Sequence, residues 1–233
     1  MQNFLEKSRK KTLLKDGGMG WLLLRGANEA EVFRAYVEAG ADILTANTFM
    51  PGGDFKAAIG RARKAAAGKG RFVVASIGPT YSAGQVREVA ETEGIDALMF
   101  ETICNVDAAI DCARAAASTG LPLMFSATLG RDGKLPCGAT VREFAEAAMK
   151  LHPLSVGLNC GAGPEELAIR FGELGPLPCL KSLHPAAGLP GEYVSPERFA
   201  AAIGPLIERR EVDIVGGCCG TGPAHIAALN LLR

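Results

Sequence analysis

Eight times along the chain a short apolar run is followed by a stretch of helical periodicity, and this alternation most restricts the folds open to it. The apolar runs are 13–16, 41–47, 71–77, 97–101, 123–128, 156–160, 179–184 and 212–215. The helical stretches between and after them are 29–39, 54–67, 82–93, 106–117, 141–150, 165–171, 196–208 and 224–232. Alternation of this kind argues for parallel strands joined by right-handed crossovers. Eight units favour closure into an α/β (β/α)8 TIM barrel over an open doubly wound sheet, and 233 residues suit a compact one. No linker, low-complexity tract or repeat divides the sequence, so a single barrel domain over 1–233 is expected. Residues 1–11, where Phe4 and Leu5 lie beside Lys7, Arg9, Lys10 and Lys11, read as a short amphipathic helix closing the bottom of that barrel.

Strands covered on both faces need continuous apolar runs. A chain 48% hydrophobic but only 6% aromatic supplies them from Ala, Val, Leu and Ile. Its 25 basic and 25 acidic residues cancel, which leaves no basic excess for nucleic acid or a membrane surface. No apolar run approaches the roughly 20 residues needed to span a bilayer. Seven cysteines without an evenly spaced framework, and a start without an apolar signal stretch, lead to the expectation of a reducing cytoplasm.

Barrels of this type carry their chemistry at the carboxyl ends of the strands. The eighth run ends in Gly216-Gly217-Cys218-Cys219-Gly220, and the sixth ends in Asn159-Cys160-Gly161. A cysteine that merely packs as a small hydrophobe has no need of glycine on both sides. Three thiols at two strand ends suggest one soft-metal site. Zinc takes thiolates tetrahedrally, and a catalytic zinc keeps three protein ligands and one open position. Cys160, Cys218 and Cys219 would fill the three. The same glycine-rich loop could instead cradle a phosphate, as loops after strands seven and eight often do, although no Lys or Arg adjoins it. Cys104, Cys112, Cys137 and Cys179 read as core or loop residues, with Cys137 in a loop after strand five from which a thiol could reach a substrate. Taken alone, the strand-end acids Asp16 and Glu101 could be helix caps or arginine partners.

The segments GLNCGAGPEEL at 157–167 and GGCCGTGPAHI at 216–226 resemble the two cysteine motifs of the zinc-dependent homocysteine S-methyltransferase family. DGGMG at 16–20, TANTF at 45–49, SIGPT at 76–80 and FET at 100–102 follow in the family's order, so the resemblance spans nearly the whole chain. It implies methyl transfer to the thiol of homocysteine, giving methionine, with Zn2+ on Cys160, Cys218 and Cys219. It also implies that Asp16 and Glu101 hold the amino group of homocysteine, with Gly17 and Thr102 of the same two motifs among the substrate-binding residues. Asn47 and Thr48 would orient the site, Gly78 and Thr80 would face the methyl donor, and Asn159 would brace the metal ligands. His184, ending strand seven, could touch substrate; His225 is expected to stabilise the start of the last helix, and His152 to lie on the surface.

The sequence departs from the family in places. The segments between TANTF and SIGPT and between SIGPT and FET are short, Trp21 follows DGGMG where a small residue often stands, and strand seven ends in HPAAG. These changes open the barrel mouth, where a donor would dock. The chain carries no corrinoid motif, so methylcobalamin or another methyl-corrinoid would arrive in trans on a separate protein, the donor expected here. The alternatives are a small donor such as S-methylmethionine, S-adenosylmethionine or betaine, or a non-catalytic zinc- or thiol-binding module.

Overall fold

In a computed structural model the described residues are 1–161, 163–188 and 191–233. Among them are eight strands, β1 (Leu13–Leu14), β2 (Ile43–Ala46), β3 (Phe72–Ile77), β4 (Ala97–Ile103), β5 (Leu123–Ala127), β6 (Ser155–Cys160), β7 (Leu180–Pro185) and β8 (Ile214–Val215). The helices that precede and follow them are α1 (Gln2–Lys10), α2 (Met19–Leu23), α3 (Glu29–Glu38), α4 (Phe55–Ala66), α5 (Ala83–Ala90), α6 (Val106–Arg114), α7 (Val141–Met149), α8 (Pro164–Phe171), α9 (Pro196–Glu208) and α10 (Pro223–Asn230). Local chemistry sets many helix starts: the side chains of Asn28, Asp54, Ser82, Asn105, Thr140 and Ser195 each accept a first-turn backbone N–H. Among the strands and α-helices named, α2 is absent from the sequence reading, because Gly17, Gly18 and Gly20 argue against a helix there.

All strand pairs are parallel, in the order β1-β8-β7-β6-β5-β4-β3-β2. The ring shuts between its two ends: the Asp16 N–H donates to the Ile43 carbonyl at 3.0 Å, and the Asp42 N–H to the Leu14 carbonyl at 2.6 Å. The expected closed barrel is thus observed. Among the described residues no helix is long and apolar enough to cross a membrane.

Inward-facing residues recur every second position along each strand. In the lower half they are apolar, with Leu13, Ile43, Val74, Met99, Met124 and Ile214 in one buried cluster. Phe4 of α1 joins that cluster and stacks on Phe72 at 3.7 Å between ring centroids, so α1 plugs the bottom as the sequence suggests. Two residues further along the same strands the inward positions turn polar: Lys15, Thr45, Ser76, Glu101, Ser126 and Gly216. The switch from apolar floor to polar lining is written into the strand sequences themselves. Outside the sheet, a continuous apolar layer packs the strands against the helices.

Beside the plug, at the start of β2, the fully buried Asp42 draws in four cations. Lys7 lies at 2.9 Å, Lys11 at 3.2 Å and Arg71 at 3.1 Å, and Arg233 also donates to it. Burial alone would push this carboxyl up; Lys7, Arg233 and the Leu14 N–H outweigh burial and hold its pKa down to about 2. A carboxyl depressed on folding contributes stability above its unfolded value of 3.8, and that contribution is lost as pH falls from 3.8 towards about 2. The contribution at neutral pH is about 2 kcal/mol. Asp42→Asn should therefore lower Tm by about 4–8 °C at neutral pH. The gap from wild type should narrow in thermal melts as acid protonates Asp42, and a gap independent of pH would contradict this account.

Candidate functional site

The three thiols predicted from sequence converge. Their Sγ atoms lie within 4.8 Å of one another at the top of the barrel, between the ends of β6 and β8. Cys160 is delivered by a backbone turn: its φ of 58° lies in the left-handed region, uncommon for a residue with a side chain and concentrated at functional sites. Thr102, at the end of β4, has the same φ of 58°. Between them the fully buried Asn159 accepts from the Thr102 N–H at 2.9 Å, and its Nδ2 donates to Thr102 Oγ1 at 3.0 Å and points at Cys218 Sγ at 3.8 Å. Asn159 thus ties two strand ends to one of the thiols.

Cys218 and Cys219 are held by main-chain bonds to neighbouring strands. The Cys218 N–H donates to the Pro185 carbonyl at 2.8 Å, the Ala187 N–H to the Cys219 carbonyl at 2.8 Å, and the Gly217 N–H to the Asp16 carbonyl at 3.1 Å. Gly217 is required for close approach: a Cβ there would sit 2.2 Å from Thr221 Oγ1. That hydroxyl donates to the Cys218 carbonyl at 2.6 Å and accepts from the Gly18 N–H at 3.1 Å, joining the two glycine-rich motifs.

The thiols shift one another's proton affinities in opposite directions. Hydrogen bonds from Cys160 and Cys218 pull the Cys219 thiol down to about 3. Cys218 is pushed well up by its bonds to Cys160 and Cys219 and then by burial. Cys160 is drawn down by Cys218 but raised more by Cys219 and burial, to about 11. Three sulfur donors within reach of one point fit zinc by donor chemistry, and they leave one tetrahedral position for a further ligand.

The thiols form one wall of a cleft of about 460 Å3, lined also by Lys15, Gly17, Asn47, Glu101 and Thr102. Its apolar rim comes from Met19, Trp21, Phe49 and Met50. Glu101 accepts a short bond from Ser76 Oγ. Burial raises its pKa, and Lys15 and Ser76 offset part of that rise. Asp16 lies one layer deeper than the cleft surface and is fully buried. Its carboxylate accepts from the Thr45 N–H and Thr45 Oγ1, each at 2.7 Å, and from Lys15 Nζ at 3.3 Å. Burial pushes the Asp16 carboxyl up and Lys15 and Thr45 offset part of that; three donors aimed at two oxygens select the ionised form. Burial likewise opposes the charge on Lys15, but Asp16, Glu101 and Cys218 outweigh it and raise the Lys15 pKa.

Other expectations resolve differently. Thr48 is buried and its hydroxyl donates to the Ser76 carbonyl at 2.8 Å, tying β2 to β3 away from the cleft. His184 lies inside the barrel, outside the cleft lining; burial, then Lys15, hold its pKa well below the usual imidazole value, so the ring is neutral. Cys137 is exposed, and its N–H donates to the Cys104 carbonyl at 3.0 Å, outside the cleft lining. Cys112 and Cys179 pack against the core as expected. His225 accepts from the Gly222 N–H at 3.2 Å at the start of α10, and His152 is exposed. Gly78 lines a separate cavity behind Glu101, and Thr80 is exposed.

Sequence reasoning missed Lys15 and Tyr193. Tyr193 accepts from Trp21 Nε1 at 3.1 Å, and the rings meet edge to face at 5.4 Å across the mouth. A lysine before DGG gave no local sign of burial, and Tyr193 sits in an irregular segment that periodicity cannot place.

Comparison with known proteins agrees with this geometry. The family model described as homocysteine S-methyltransferase matches residues 13–232. The chain is 28% identical to methionine synthase of Mycobacterium tuberculosis over 96% of its own length and 25% of that protein's. It spans about a quarter of the length of the curated relatives it matches. Among solved structures, the metallated form of the homocysteine methyltransferase MmuM from Escherichia coli shares the fold at a TM-score of 0.77, with 23% identity and 96% of each chain covered. The apo form of the same protein gives 0.74 at 25% identity and the same coverage. The family match runs from the first strand of the barrel to its last helix, and the chain belongs to the homocysteine S-methyltransferase family.

Proposed function

We propose that this barrel transfers a methyl group to the thiol of homocysteine, giving methionine, at a zinc centre held by Cys160, Cys218 and Cys219. The observation that carries the reading is the convergence of three thiols on the wall of a cleft that also presents a carboxylate. The chemistry zinc would supply when bound is a deprotonated acceptor sulfur at neutral pH, since a coordinating thiol loses its proton outright. The chain's own residues do the rest. Asn159 fixes the ends of β4 and β6 so that Cys160 and Cys218 keep their separation. Glu101 receives the acceptor's ammonium in a charge-assisted hydrogen bond. Gly17, Asn47 and Thr102 shape the cleft around the acceptor, with Asp16 setting the charge beneath them.

For the methyl donor we favour a methyl-corrinoid carried by a separate protein. Support comes from the apolar rim, where Trp21 and Tyr193 are joined and Met50 stands 61% exposed. A surface of that kind suits docking of another macromolecule.

The test is methionine formation by zinc-loaded protein given homocysteine and, in turn, methylcobalamin, S-methylmethionine, S-adenosylmethionine and betaine. Methylcobalamin should be the productive donor. Turnover with S-methylmethionine or S-adenosylmethionine alone would replace the corrinoid reading with a small-donor one. Saturable homocysteine binding without turnover from any donor would make the chain a binding module.

A further inference from the structure

A lysine ammonium inside a barrel is costly unless its charge is matched. Lys15 is 3% exposed, and its Nζ bonds Asp16 Oδ1 at 3.3 Å. The two remaining donors to Asp16 come from Thr45, so Lys15 and Thr45 together engage both of its oxygens. Lys15 lines the cleft and Asp16 does not. An acceptor entering the cleft therefore meets a lysine ammonium in front of one acid and finds the other acid, Glu101, at the surface.

We propose that Lys15 is a specificity-determining residue: its Nζ takes, at Asp16, the place that the acceptor's own ammonium would otherwise occupy, so the site admits ω-thiol carboxylates lacking an α-amine alongside homocysteine. The proposal rests on the acceptor reading above and concerns how that acceptor is chosen. Of the two carboxylates at the floor, one is neutralised internally and one remains for the ligand. Recognition then depends on the thiol and on a single charge-assisted bond to Glu101, and loss of the α-amine costs one such bond rather than two.

The experiment is calorimetric binding of homocysteine and of 4-sulfanylbutanoate, the same molecule without its amine, to zinc-loaded protein. Zinc per chain is measured on each sample. Wild type should prefer homocysteine by about tenfold, the worth of one charge-assisted hydrogen bond. In Lys15→Met the side-chain stem is kept and the Nζ position is vacated, so Asp16 can receive the acceptor's ammonium. The preference should rise by at least about tenfold more. Lys15→Met combined with Asp16→Asn removes both charges and guards against misfolding from an unmatched acid; there the preference should return to the wild-type value. A preference that does not rise in Lys15→Met, or that persists in the double variant, overturns the proposal. Wild type that holds zinc but binds neither thiol overturns the acceptor reading itself, and the zinc measurement separates the two failures.

Discussion

Cys218→Ala should reduce zinc from near one per chain to less than about a tenth after mild chelation, and methionine formation should fall with it. Apparent free energies of about 10–16 kcal/mol for thiolate-rich zinc sites, divided among three or four ligands, assign about 3–4 kcal/mol to each. Removing one then weakens binding several hundredfold, by about a factor of ten per 1.4 kcal/mol. Cys218 is the informative position because its carbonyl and N–H are already bonded, to Thr221 and to the Pro185 carbonyl, so truncating the side chain leaves the backbone where it is. Cys112→Ala is the control: that thiol bonds the Tyr81 carbonyl at 3.2 Å, away from the cluster. Elemental analysis of both variants decides the matter. Full zinc retention in Cys218→Ala would remove the metal centre from the proposed function.

The second large effect concerns stability. Gly157 faces Ser182 across β6 and β7, and a Cβ added there would lie 1.8 Å from the Ser182 carbonyl oxygen and 2.2 Å from its Oγ. Neither atom can clear that overlap unless the strands part. Gly157→Ala should cost about 3–4 kcal/mol, at or above the upper end of ordinary overpacking, even after the modest gain from a stiffer unfolded chain. Urea denaturation should show the loss. Combining it with Ser182→Gly should restore little, because the tighter contact is with backbone. Strand β6 also ends at Cys160, so the same variant should hold zinc less firmly. A Gly157→Ala protein as stable as wild type would mean the two strands have slack that their register does not suggest.

What could be read from the residues follows from where the information lies. The strands were legible because each is a short, mostly apolar run between breakers, and the observed bounds differ from the expected ones by no more than two residues. Cys160, Cys218 and Cys219 were legible because glycine on both sides of a thiol has little use in a packed core. Lys15 was not, since a lysine beside two leucines looks like the solvated end of a strand. Its burial depends on Asp16, Glu101 and the inward pleat, which become visible once the ring is closed. For Asp16 the motif was recognised from sequence, but not the side chain's partners, Thr45 and Lys15, which come from the neighbouring strand and the inward pleat. The bond of the Thr48 hydroxyl across to β3 was not legible either, because it too depends on a neighbouring strand.

The placement of the three thiols also ties the sulfur cluster to closure of the ring. One sits at the end of β6 and two follow β8, the strand that pairs with both β1 and β7. Without β8 in place, β6 presents Cys160 alone and the sheet is open between β7 and β1. The strand pairing that shuts the ring is therefore also the one that brings the second and third sulfur to the first, so the cluster exists only in the closed barrel.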